Sequence, residues 1–153
     1  MNATELLIQD HEKLKKLLTE ITDTTDRAVK KRTELLAQIE AELHAHTQIE
    51  EDIFYPAYKK AGGKDEAKSY HEAKEEHRAV ESLVLPDLKT TDVGTVEFSG
   101  RVKVLKEMLE HHIEEEESEM FPEAEKLLSK DQLAELGERM EKQKNELLSA
   151  TKH

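Results

Sequence analysis

The chain of 153 residues has no cysteine, three prolines and five glycines. Without a thiol, disulfide scaffolds, thiol catalysis, iron–sulfur clusters and cysteine zinc sites are excluded. No apolar run approaches membrane-spanning length. The opening Met-Asn-Ala-Thr-Glu-Leu-Leu-Ile lacks a basic region followed by a long apolar one, so no signal peptide is visible. Positive charge is also short: 23 Lys and Arg stand against 35 Asp and Glu, a formal net charge of −12. That balance argues against a nucleic-acid partner and against an anionic membrane surface. The expectation is a soluble, cytoplasmic protein.

What is present points to helices. Hydrophobic residues make up 36% and charged residues 38%, a balance that suits long amphipathic helices with charged outer faces better than a sheet. The length suits one domain with a real core. Over residues 4–21 the seam is Leu7, His11, Leu14, Leu18 and Ile21, in steps of 4, 3, 4 and 3. Residues 22–26 are rich in turn formers. A second helix over 28–61 carries Leu36, Ile39, Leu43, His46, Glu50, Ile53 and Ala57 on its seam; Pro56 should loosen it and Gly62-Gly63 should end it. The third helix, 64–88, carries Tyr70, Ala73, His77, Val80 and Val84, with Pro86 marking its fraying end. After a loop over 89–95, the fourth carries Phe98, Val102, Leu105, Leu109, His112 and Glu116, with Pro122 near its end. Ser129-Lys-Asp-Gln132 has the form of a capping box and opens a fifth helix with Leu133, Leu136, Met140 and Leu147 on one side. That helix is expected to give packing support or an oligomer contact, with no chemistry of its own.

An internal repeat organises these seams. A shift of 66 residues carries His11 onto His77, His46 onto His112, Glu50 onto Glu116 and Pro56 onto Pro122. The apolar positions follow, with Leu14 on Val80, Leu36 on Val102, Ile39 on Leu105 and Leu43 on Leu109. Two tandem helical hairpins packed as an up-down four-helix bundle are expected, at 1–128, with an accessory helix at 129–153 in the same domain. A His and a Glu four residues apart share one helical face and can reach one point. A buried carboxylate needs a partner or a metal. The candidate metal ligands are therefore His11, His46, Glu50, His77, His112 and Glu116.

The pattern His11 … His46-x-x-x-Glu50 … His77 … His112-x-x-x-Glu116, with Glu-Glu-Asp-Ile-Phe-Tyr-Pro and its echo Glu-Glu-Ser-Glu-Met-Phe-Pro, resembles the hemerythrin-like (HHE cation-binding) family over about residues 5–128. The resemblance implies a four-helix bundle holding two non-haem iron ions joined by an oxo or hydroxo bridge, with Glu50 and Glu116 bridging them. His and Glu ligands also accept manganese or zinc. Oxygen-carrying hemerythrins have a His-x-x-x-His pair on the third helix and an Asp as the second bridge. Here Ala73 stands four residues before His77, and the second bridge is Glu116. His71 lies six residues before His77, about 120° around the helix, and substitutes awkwardly.

Two His and two bridging oxygens per metal, plus the bridge, leave an open position on each iron. This favours chemistry with peroxide, nitric oxide or O2, with a peroxidase-like or catalase-like activity foremost. Reversible oxygen binding or sensing, and iron homeostasis without turnover, are the alternatives. Tyr70, Tyr55 and Tyr58 are expected to be core or supporting residues, the last two lying off the Glu50 face. His44, His111 and His153 fall off the seams and are expected in solvent, as are Glu51 and Glu117.

Overall fold

The computed structural model describes residues 1–151; His153 lies outside the described residues. Five long helices and no strand occur among them. Helix α1 is Ala3–Thr22. Helix α2 runs Val29–Ile49, takes one wide π-helical turn at Glu50–Phe54 and continues as Tyr55–Ala61. Helix α3 runs Lys64–Ala79, widens at Val80–Val84 and continues as Leu85–Lys89. Helix α4 runs Val96–Glu115, widens at Glu116–Met120 and continues as Phe121–Leu127. Helix α5 is Lys130–Thr151.

Local chemistry sets these boundaries. Asn2 accepts from the Glu5 backbone at 2.9 Å while the Glu5 carboxylate takes the Asn2 N–H, a reciprocal cap on α1. Thr95 caps α4 through Phe98 N–H. Ser129 and Gln132 form the capping box expected from sequence, at 3.1 and 2.8 Å. Each wide turn precedes a proline, Pro56, Pro86 or Pro122. A proline ring clashes with the carbonyl four residues back, and here the strain is relieved by i→i+5 bonds: Tyr55 to Glu50, Leu85 to Val80, Phe121 to Glu116. Pro86 therefore does not fray α3; the helix continues past it to Lys89.

Two apolar layers hold the bundle together. One contains Leu14, Leu18, Ile39, Leu43, Val80, Val102 and Leu109. The other contains Leu7, Ile49, Phe54, Tyr55, Ala73, Met120 and Phe121, completed by Leu133, Leu136 and Met140 of α5. The chain passes from the second layer to the first along α1 (Leu7 to Leu14) and α3 (Ala73 to Val80), and back along α2 (Leu43 to Ile49) and α4 (Leu109 to Met120). That is the up-down-up-down order. His11, His46, His77 and His112 each fall at the crossing between layers.

Buried Arg32 ties the far end. Its guanidinium donates to Thr24, to the Val93 and Thr95 carbonyls and to Ser99 Oγ, linking the α1–α2 connection to the start of α4. At the other end α5 lies across α1 and α2. Gly137 permits this, because a Cβ there would run into the backbone of Met1 and Asn2.

Candidate metal centre

The six seam residues converge between the two layers, and all are buried. His11 Nε2 lies 3.2 Å from Glu116 Oε1, His46 Nε2 3.2 Å from Glu50 Oε1, His77 Nε2 3.2 Å from Glu50 Oε1, and His112 Nε2 3.3 Å from Glu116 Oε1. Two overlapping donor sets result. His11, His46, Glu50 and Glu116 form one, and Glu50, His77 and His112 the other, with donor atoms inside 4.8 Å of one another in each. Glu50 belongs to both, and Glu116 also reaches His112.

These donors fit cations. His11 Nε2, His46 Nε2, both Glu50 oxygens and Glu116 Oε1 are buried and make no hydrogen bond among the described residues. Native interiors rarely leave such atoms unpaired. The other ring nitrogen of each imidazole is held from outside. Glu117 meets His11 Nδ1 at 2.7 Å, Asp10 meets His46 Nδ1 at 3.0 Å, Glu51 meets His77 Nδ1 at 3.1 Å and Glu76 meets His112 Nδ1 at 3.0 Å. A carboxylate on Nδ1 fixes the ring and directs the Nε2 lone pair inward.

Each carboxylate comes from the preceding helix in a closed ring: α4 to α1, α1 to α2, α2 to α3, α3 to α4. Glu51 and Glu117, expected to face solvent, thus hold His77 and His11 instead. Asp10 and Glu76 were not singled out by the seam, since they sit one residue off it. The repeat signals them: 10 maps to 76 and 51 to 117.

Tyr55 is a second correction. About 100° per residue places it off the Glu50 face, but the wide turn at Glu50–Phe54 brings it round into the site. Fully buried, it donates to Glu116 Oε2 at 2.6 Å and lies 3.3 Å from Nε2 of both His77 and His112. Burial, with the Glu116 and Glu50 charges, pushes its phenol well above the usual range. Tyr58 is buried in the apolar layer, and Tyr70 packs edge-on to Tyr55 at 6.2 Å. His44, His71 and His111 are exposed, His111 pairing with Glu115 at 3.0 Å.

Electrostatics follow the same pairing. Burial alone would lower His46, but Glu50 and Asp10 outweigh it and raise the ring to about 10. His77 and His112 are also raised, against their burial, by Glu50 with Glu51 and by Glu116 with Glu76. Burial would raise Asp10; His46 and Lys144 of α5 hold it below the usual carboxylate range.

The hemerythrin HHE cation-binding domain model matches residues 2–124. The chain belongs to that family. As an HHE domain it also aligns with a crystal structure of an HHE cation-binding domain-containing protein from Mycobacterium kansasii: TM-score 0.85, 29% identity, 98% of this chain and 89% of that one. A curated protein from Nostoc sp. named DNA nickase is 28% identical over 132 residues, 86% of this chain. The match spans only 36% of that longer protein.

Proposed function

We propose that this HHE domain holds two non-haem iron ions between Glu50 and Glu116, His11 and His46 on one side and His77 and His112 on the other, and that it consumes hydrogen peroxide. Bound iron would supply the redox equivalents; manganese or zinc would suit the same donors. The observation that carries the reading is the convergence of buried, unpaired Nε2 and carboxylate atoms with the Tyr55 hydroxyl set among them. The chain's residues divide the work. Glu50 and Glu116 balance positive charge and set the spacing. Four imidazoles supply neutral nitrogen once their protons leave, and the Nδ1 carboxylates keep each ring from turning. Tyr55 can give a proton at its hydroxyl to an oxygen held beside His77 and His112, with Glu116 steering it. Cleavage of an oxygen–oxygen bond requires protons, and reversible oxygen carriage does not need one delivered. This favours turnover over carriage. Two peroxides yield one O2 and two waters, so no external reductant is required. Nitric oxide and O2 are the other small molecules that this centre would meet. The name of the longer relative, DNA nickase, is not carried over to this chain, because a net charge of −12 disfavours DNA.

The test is oxygen release from peroxide by iron-loaded protein, followed with an oxygen electrode. Release that depends on iron and disappears in His112→Ala and Glu116→Ala is expected. Iron-loaded protein that releases none, but shows a visible band appearing in air and vanishing under argon, would establish the oxygen-binding reading instead.

A further inference from the structure

A cavity of about 160 Å³ lies between α2, α3 and α4, against His77 and His112. Leu43, Val80, Met108 and Leu109 form its apolar wall, and Glu76, Glu81 and His111 stand at its rim. Thr47, 2% exposed, also lines it, and the Thr47 hydroxyl has no hydrogen-bond partner among the described residues. Buried hydroxyls normally find a partner, and Glu81 at the rim is the neighbour that faces this one.

The repeat explains why the space exists here. At the repeat-related place on the other side of the cluster, Ile113 of α4 stands for Thr47 and Leu14 of α1 for Val80, both buried. Each is larger, and each fills what Thr47 and Val80 leave open. That side is further covered by α5, whose Lys144 pairs with Asp10. On the α3–α4 side the corresponding carboxylate, Glu76, is half-buried at the rim.

We infer that this cavity is a binding and access site for a small uncharged molecule, and that it delivers the guest to the His77–His112 side of the centre. Size limits the guest: apolar cavities of about 150 Å³ stay dry and accept xenon or a single small ring. Charge limits it further, because Glu76 and Glu81 at the rim and the −12 of the whole chain disfavour anions. Dissolved O2, nitric oxide and hydrogen peroxide share the required properties; superoxide and nitrite do not. The delivery half of this inference rests on the proposed metal centre, whereas the binding half does not.

The test separates the two. Crystals pressurised with xenon should show one xenon atom between Leu43, Val80 and Leu109. The double variant Thr47→Ile, Val80→Leu copies the filled side and should abolish that xenon site. Iron content, measured separately, should stay that of the parent. In stopped flow the variant's reduced iron form should react with nitric oxide and with hydrogen peroxide at least about tenfold more slowly than the parent. Met108→Trp, which fills the space from a half-buried position of the wall, should slow both in the same way if the double variant folds poorly. Comparing the two reagents tells whether an apolar gas and a polar peroxide use one route. No xenon in the parent overturns the site. Xenon present, with both reagents unslowed in the filled variants, overturns the delivery. Loss of reaction in the parent itself would instead count against the proposed function, with the xenon result still deciding the cavity.

Discussion

His11 and His77 occupy equivalent places in the two hairpins, yet the ring stacked on each differs. Phe121 lies on His11 at 5.6 Å between centroids, and Tyr55 lies on His77 at 5.4 Å. Positions 55 and 121 are themselves related by the repeat. One oxygen atom therefore separates the two sides of the cluster. The outer carboxylates differ too: Asp10 is 3% exposed and locked by Lys144, whereas Glu76 is 32% exposed. The His11–His46 side is sealed by α5, and the His77–His112 side keeps a hydroxyl and a cavity. The ligand set follows the repeat, while the reactive features break it. The lesson is that the two halves share the cluster and differ in what surrounds it, which gives it a direction.

The largest expected effects come from residues that the halves share. Glu50→Ala removes the carboxylate common to both donor sets, Glu116→Ala removes one that also reaches His112, and His112→Ala removes an imidazole from one set. The glutamate variants should lose essentially all bound iron and the histidine variant about one ion per chain, read by metal analysis after gel filtration. Next is Tyr55→Phe, which makes the halves alike. Iron content should hold while peroxide turnover falls about 100-fold, the lower range for loss of a proton donor. Phe121→Tyr in that background places the hydroxyl on the sealed side and should not restore it.

Smaller effects sharpen the contrast in burial. Lys144→Met leaves Asp10 buried with only His46 and should weaken one of the two iron-binding steps about tenfold, as loss of a ligand's support does. Gly137→Val should lift α5 from the Met1–Ala3 backbone, costing about 2 kcal/mol in chemical denaturation and raising amide exchange along α1. The least is a pH effect on metal-free protein. His46 rises from 6.5 to about 10 on folding, so its stabilisation is complete below pH 6.5 and is lost as pH rises through 10. The melting temperature of metal-free protein should fall between those values. Iron-loaded protein, in which His46 would stand as the neutral imidazole with its Nδ1 proton directed at Asp10, should not show that loss.

The bundle and its central cluster were readable because each ligand sits on a 3–4 seam. There a glutamate or histidine among leucines stands out, and the repeat doubles the signal. Tyr55 was hidden because the ordinary helical angle fails across a π-helical turn. Its clue is the proline six residues after Glu50 and after Glu116, which forces that turn. Asp10, Glu51, Glu76 and Glu117 were lost among the many acidic residues of exposed faces. The repeat pairs 10 with 76 and 51 with 117, but only contact with the next helix shows what they hold. The grip of α5 on Asp10 through Lys144 depends on where a terminal helix lands, and no spacing in the chain encodes that. The cavity is a difference of a few methyl groups between equivalent positions, legible only once both hairpins are packed.

The most direct test of the unequal halves is anomalous diffraction at the iron edge from crystals loaded with iron under argon. The account predicts two peaks inside the cluster. One should lie against His11 and His46 and the other against His77 and His112, both within reach of Glu50 and Glu116, with the Tyr55 hydroxyl beside the second alone. A single peak, or iron held only at the surface by Glu76, His111 and Glu115, would contradict it.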